Sequence, residues 1–286
     1  MSLISRRAFV GAAAAALATG ARQAGAEQLA FRFGLTPVFL TNDRRLLAAM
    51  RTYLRGALAR PVELVQRRTY QEITAMLLAG QLDAAWICGF PFVVHRDALA
   101  LVAVPLWRGK PLYQSYLITA PGREARDLPD LRGDIHAFSD PDSNSGYLVT
   151  RTRLARMGVS PAEFFSRVFF TYGHRNVVRA VARGLAHSGS VDGYVWEALT
   201  RTEPELTEGT RVLWRSRDFG FPPIACLRER ARDPDIQLLR QALVEIGASP
   251  AGRETIDLLQ LDGFTTAPPE IFDGITAMVR FLNERA

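Results

Sequence analysis

The segment Asp140-Pro141-Asp142-Ser143-Asn144-Ser145-Gly146-Tyr147 concentrates short polar side chains where a strand gives way to a helix. A helix start leaves backbone N–H groups unpaired at the positive end of its macrodipole. Ser143, Asn144 and Ser145 add side-chain donors there, and Gly146 lets a ligand come close to the backbone. Such a combination makes an anion pocket that needs no net charge. Helix capping alone accounts for one of these residues, since Ser and Asn are common N-caps; three in succession exceed that need.

Two more polar residues stand at strand–helix junctions of their own. His174 follows Gly173 at a second helix start, and Asp192 lies in the apolar run Ser190-Val191-Asp192-Gly193-Tyr194-Val195. A carboxylate facing an anion repels it unless a proton stands between them. A phosphonate or phosphate monoanion carries a P–OH that can donate to Asp192, whereas fully ionised sulfate has none. An Asp192 set against such an anion would select against sulfate, because the wrong ligand leaves a buried acceptor unpaired at roughly 1–3 kcal/mol or more. The ammonium of an aminoalkyl phosphonate is an alternative partner, and a sheet-end Asp that merely caps a loop is the structural one. Ser143, His174 and Asp192 also spell a hydrolase triad, but no G-x-S-x-G elbow surrounds Ser143. Neither a Walker loop nor G-x-G-x-x-G occurs. A binding protein with no catalytic residue and no cofactor is the simpler reading. His95, His136 and His187 complete the four histidines, and no pair has H-x-x-x-H spacing, so no metal site is expected.

The elements that must hold these residues alternate between strand and helix. Strands are predicted at 30–35, 61–65, 83–89, 134–138, 168–171 and 190–195, and the stretch 112–120 reads as extended. Thr41 and Asp43 can cap a helix whose Leu46, Leu47, Met50, Tyr53, Leu54, Ala57 and Leu58 form one apolar stripe. Further helices are predicted at 70–81, 147–157, 174–185, 234–245, 250–258 and 269–283, after an extended stretch at 212–216. Strand–helix–strand repeats of this length predict doubly wound α/β sheets. Two such units with a returning C-terminal part suggest two lobes, at 27–113 with 223–286 and at 114–222. Two segments then cross between them, near 113–119 and 216–224.

The N-terminus reads as an export signal. Arg6-Arg7-Ala8-Phe9 precedes an apolar run from Ala12 to Ala18, and Ala24-Gly25-Ala26 closes the stretch ahead of Glu27. Roughly 20 apolar residues are needed to span a bilayer, so the run is too short to be an anchor. The paired arginines match the twin-arginine route, and Arg22 disfavours the general one. No cysteine precedes Cys88, so a lipid anchor is not expected; the product cleaved near Ala26 should be free in the periplasm. Loss of Arg6, Arg7 and Arg22 with no acid lowers the net charge from +6 to +3. That mild excess suits an anionic ligand and falls far short of a nucleic-acid binder's basic stripe. Hydrophobic content of 48% and charged content of 22% are those of a globular protein. Two cysteines, Cys88 and Cys226, imply no disulfide framework.

From just after the leader to the C-terminal helices, the chain resembles the periplasmic phosphonate/phosphite-binding proteins of ABC importers. The resemblance is carried by Tyr70-Gln71-Glu72, by Gly80-Gln81-Leu82-Asp83-Ala84-Ala85-Trp86, by Gly109-Lys110-Pro111-Leu112-Tyr113-Gln114-Ser115-Tyr116, and above all by Asp140 to Leu148. The stretches from Phe170 to His174 and from Val191 to Trp196 also match. It implies the type II two-lobe binding-protein fold, a monomer, and a small oxyanion ligand passed to an inner-membrane ABC permease; a sensor kinase is the alternative partner. Residue by residue, it implies that Ser143 and Ser145 hold the oxyanion, His174 donates to it and Asp192 lies across the cleft. Tyr70 and Tyr113 would cover the ligand from the other lobe. The family usually has Thr between the two serines where this chain has Asn144, a longer side chain with both a donor and an acceptor. Arsenite sensors resemble the same group, which gives Cys88 a second reading as a soft-ion ligand beside its plain one as a small core residue.

Overall fold

The computed structural model describes residues 29–37 and 44–285; the expected leader and the expected cap residues Thr41 and Asp43 lie outside them. Strand β1 (Phe31–Leu35) is buried on both faces, which is why its sequence is nearly all apolar. Helix α1 (Arg44–Leu58) follows and buries Leu46, Met50, Tyr53, Leu54 and Leu58 of the predicted stripe. Next come β2 (Val62–Gln66) and α2 (Tyr70–Leu78), which opens on a capping box between Thr69 and Glu72. Strand β3 (Ala84–Trp86), the short helix α3 (Gly89–Val94) and β4 (Leu99–Leu106) complete the first pass.

The chain then crosses through β5 (Leu112–Tyr113) into β6 (Ser115–Thr119) and β7 (Ile135–Phe138). A π-turn at Asn144–Leu148 leads into α4 (Val149–Arg156), then α5 (Pro161–Phe164), β8 (Arg167–Phe170) and α6 (His174–Ala182). Strand β9 (Ser188–Asp192) gives way to α7 (Gly193–Thr202), α8 (Pro204–Glu208) and β10 (Arg211–Arg215). The return runs through β11 (Phe219–Gly220), β12 (Ile224–Leu227), α9 (Pro234–Val244), α10 (Pro250–Leu259), β13 (Gly263–Thr265) and α11 (Asp273–Asn283).

Two mixed sheets result, with orders β13-β4-β12-β3-β1-β2 and β10-β6-β9-β7-β8, and β5 pairs with β11 in a separate ribbon between them. Each sheet contains a parallel triplet with its first strand in the centre, β3-β1-β2 in one and β9-β7-β8 in the other. The remaining strands of the two sheets, β4, β6, β10, β12 and β13, make antiparallel pairs, with β6 and β12 the first to follow a change of lobe. Both lobes are thus α/β, each a parallel triplet extended on one side by antiparallel strands. In open α/β sheets the carboxyl ends beside the central strand form the natural binding crevice, and the two triplets bring two such crevices together.

Several local expectations need correction. Residues 115–119 are not a crossing segment but strand β6 inside the second sheet, so the first crossing ends at Gln114. The strand expected to reach Val195 stops at Asp192, whose Oδ1 accepts from the amides of Tyr194 at 2.9 Å and Val195 at 3.3 Å and starts α7. The strand expected over 83–89 covers only Ala84–Trp86, with Cys88 at the N-cap of α3. The helix expected from Tyr147 begins three residues earlier as a π-turn, a form found often at functional sites.

Candidate ligand-binding site

All but one of the candidate ligand residues fall at the carboxyl end of a parallel triplet. Ser143, Asn144 and Ser145 follow β7, His174 opens α6 after β8, and Asp192 ends β9. From the other sheet, Tyr70 opens α2 after β2 and Cys88 follows β3, while Tyr113 comes from the β5–β11 ribbon. All eight are buried, none more than 2% exposed.

Direct bonds join the two lobes. Tyr70 Oη lies 3.2 Å from His174 Nε2, and the Tyr70 amide donates to Asp140 Oδ2 at 3.2 Å. Asn144 Nδ2 donates to Tyr113 Oη at 2.9 Å, and the Asn144 amide donates to Cys88 Sγ at 3.2 Å. His174 Nδ1 accepts from the Asp192 amide at 3.1 Å. A neutral imidazole with Nδ1 accepting must carry its proton on Nε2, so His174 donates to Tyr70 and leaves the phenolic proton free for a further acceptor. Ser143 Oγ accepts from the Gly146 amide at 2.9 Å, which likewise leaves the hydroxyl proton available. Ser115 Oγ donates to the Ser145 carbonyl at 2.6 Å and pins the loop to β6. Asn144 Oδ1 is buried with no hydrogen-bond partner among the described residues.

Gly146 is fixed by space. A Cβ built there would lie 1.8 Å from Ser139 Oγ and 3.0 Å from His174 Cε1, so only glycine lets the loop pass between β7 and the imidazole. Asp140 is a site residue that its sequence role did not announce. Its Oδ1 accepts from the Asp142 amide at 2.8 Å, an ordinary Asx-type turn, while Oδ2 reaches the other lobe.

A profile described as "ABC transporter, phosphonate, periplasmic substrate-binding protein" matches residues 33–271. The chain belongs to this phosphonate-binding family. It is 29% identical over 169 residues to the phosphate-import protein PhnD of Mycolicibacterium smegmatis; that match spans 54% of this chain and 52%, about half, of the curated relative. Among solved structures, a binding-protein component of an ABC phosphonate transporter from Pseudomonas aeruginosa superposes with a TM-score of 0.80 at 22% identity, covering 88% of this chain and 86% of that one. PhnD1 from Prochlorococcus marinus, in complex with methylphosphonate, gives 0.79 at 17% identity, covering 89% and 98%. These likenesses identify the type II two-lobe fold. The family is one of transport proteins, so the sensor-input alternative is set aside.

Family membership agrees with how the three would-be triad members are placed. Asp192 meets His174 through its backbone amide, not its carboxylate, and His174 Nε2 faces Tyr70, not Ser143. No proton relay joins them. No helix among the described residues is long and apolar enough to cross a membrane.

Burial sets the charge state of the site. It holds His174 neutral, its pKa lowered to about 3, and pushes the Cys88 thiol up to about 12. Cys88 is therefore an uncharged acceptor for the Asn144 amide, without the thiolate character that soft-ion binding draws on. Tyr70 and Tyr113 are held well above the usual phenol range by burial and then by neighbouring Cys88. Asp192 is raised to about 7 by burial, opposed by hydrogen bonds from Val195, Tyr194 and Ser145.

That carboxyl yields a pH prediction. Between the ordinary 3.8 and about 7, folded Asp192 keeps a proton that the unfolded chain releases. Its contribution to stability is thus full below pH 4 and falls as pH rises to 7. His174 and His136, both lowered to about 3, act oppositely and lose stability as pH falls below 6.5. Asp192→Asn keeps an N-cap and removes only the first contribution. In urea denaturation, the unfolding free energy of wild type minus that of Asp192→Asn should fall across pH 4–7, by at most about 4 kcal/mol, and stay level above. A difference that is flat across this window would show an ionised Asp192.

Proposed function

We propose that this chain is the exported periplasmic receptor of an ABC importer, capturing a phosphorus oxyanion (phosphonate, phosphite or phosphate) by closure of two lobes. The observation that carries the reading is the set of hydrogen bonds by which Tyr70, Tyr113 and Cys88 of one side meet His174, Asn144 and Asp140 of the other. A ligand held on one face would be covered from the opposite face by the same movement. Support comes also from the relatives, one a phosphate-import protein and another crystallised with methylphosphonate.

In this reading lobe 1 comprises residues 27–113 and 223–286 and lobe 2 residues 114–222, and the monomer works with an inner-membrane permease. The twin-arginine leader, cleaved near Ala26, takes it to the periplasm. Ser143, Ser145 and the backbone after them hold the oxyanion, and when ligand enters His174 Nε2–H turns from Tyr70 Oη to another ligand oxygen. The phenols of Tyr70 and Tyr113 close over it, with Asn144 beside Tyr113. No Arg or Lys belongs to this set, so the anion is held by neutral dipoles fixed before it arrives, and no cation has to shed water. Asp192 accepts from the P–OH. Above pH 7, where Asp192 is ionised, sulfate would face it with no proton between and would be refused, so the ligands are compared at about pH 8.

Two measurements test this. At 100 times its dissociation constant a cognate ligand adds about 2.7 kcal/mol of stability. The mature protein should therefore melt higher with methylphosphonate, aminoethylphosphonate, phosphite or phosphate and be unmoved by sulfate. Cys88→Ser should leave that shift in place, and an arsenite-induced shift that vanished in Cys88→Ser would return the thiol to the ligand set. No shift with any phosphorus oxyanion would overturn the reading.

The second measurement is of closure. Ser145→Ala removes an anchoring donor and should weaken binding more than Tyr70→Phe, which is expected to lose about 0.5–1.5 kcal/mol. Small-angle scattering should give a smaller radius of gyration for wild type with ligand than without. Tight binding with no compaction would remove the clamp while leaving the anion site standing.

A further inference from the structure

On the outer side of the lobe contact lies a groove of about 580 Å3 that the ligand site does not use. Its floor is apolar, formed by Phe90, Val94, Val279 and Leu148, with Val94 50% exposed. Arg96, Arg151 and Arg280 line it together with one acid, Glu284. None of the three arginines has a carboxylate partner among the described residues; Arg151 only leans on the Tyr147 ring at 5.9 Å. Unpaired guanidinium groups around an apolar floor complement a segment that carries apolar anchors and acidic flanks.

The groove is also shared between lobes. Helices α3 and α11 form one wall and the end of the π-turn with α4 forms the other. Leu148 closes the same turn that carries Asn144 and Ser145, and Cys88, which accepts from the Asn144 amide, caps α3. Movement of lobe 2 against lobe 1 must therefore shift Leu148 and Arg151 against Phe90 and Val94. We propose that this groove docks an acidic, apolar-anchored segment of a partner protein, and that it reaches its fitting shape only when the lobes are closed. The inference rests on the closure reading above. A concave channel between two lobes receives a protruding segment, whereas a flat bilayer surface would reach only its rim.

The test uses the full mature protein with Arg151→Glu and Arg280→Glu combined, and separately Val94→Glu in case the pair disturbs folding. Three readouts are taken: the melting shift with methylphosphonate, uptake of methylphosphonate by cells that depend on the protein, and photo-crosslinking from position 94 in cell envelopes, with the captured segment sequenced. The expected result is an unchanged melting shift, uptake reduced at least tenfold, and loss of a methylphosphonate-enhanced crosslink to an acidic, apolar segment of a membrane protein. Unchanged uptake and crosslinking overturn the proposal, as does a melting shift lost together with uptake, which would make the groove part of closure. Co-flotation of wild type with phosphatidylglycerol vesicles, abolished by the charge reversals, overturns it in favour of a lipid surface. If wild type shows no melting shift, the ligand assignment fails by itself and the crosslink decides. An acidic segment lost on charge reversal then upholds the groove, and its absence rejects it.

Discussion

Burying His174 without a charge is the constraint from which the rest of the site follows. A neutral imidazole has one donor and one acceptor, and the Asp192 amide takes the acceptor. The donor is thereby turned outward, to Tyr70 of the other lobe. Tyr70 keeps its own proton for a further acceptor, and its amide is tied to Asp140. Direction thus passes along the chain of bonds from one lobe to the other. The result is a set of residues rich in donors, none of them Arg or Lys, in which Asp192 holds its proton to about pH 7. Above that pH the carboxylate is an acceptor among these donors, and an anion that brings its own hydrogen then suits the surface better than one that does not.

The two lobes also repeat a plan. In each, the first strand of a parallel triplet is central, the second lies on one flank and the third on the other. Tyr70 and His174 open the helices after the second strands, and Cys88 and Asp192 follow or end the third. The residues that meet across the lobes therefore occupy equivalent places, and the contact between Tyr70 and His174 is one made between counterparts. Loop chemistry differs while position is kept: a thiol and a phenol on one side, a carboxyl and an imidazole on the other.

Much of this was legible in the residues. The Ser143–Gly146 run, Gly173-His174 and Asp192 are all local signals of strand-to-helix junctions, and junctions of that kind gather at one edge of an α/β sheet. What escaped was set by contacts distant in sequence. Asp140 heads the polar segment with no role of its own in the sequence, and only the fold brings its second oxygen to Tyr70. The run Ser190–Val195 is apolar enough for a strand, but a side chain reaching two and three residues ahead converts its second half into a helix. Strands β4, β12 and β13 carry no motif, and their place depends on the chain returning from the second lobe. The π-turn likewise has no periodic signature: the Leu148 amide reaches back five residues to the Ser143 carbonyl, with Gly146 close against Ser139 and His174.

The ribbon between the lobes has a consequence of its own. A single tether would let one lobe swing and spin in any sense, but here two strands pass side by side, hydrogen-bonded as Phe219 with Tyr113 and Gly220 with Leu112. Two strands paired in this way cannot spin independently, so in the proposed closure the lobes bend about the ribbon instead of turning freely on one strand. Hinge and candidate site then share a residue, because Tyr113 is both a rung of the ribbon and the partner of Asn144.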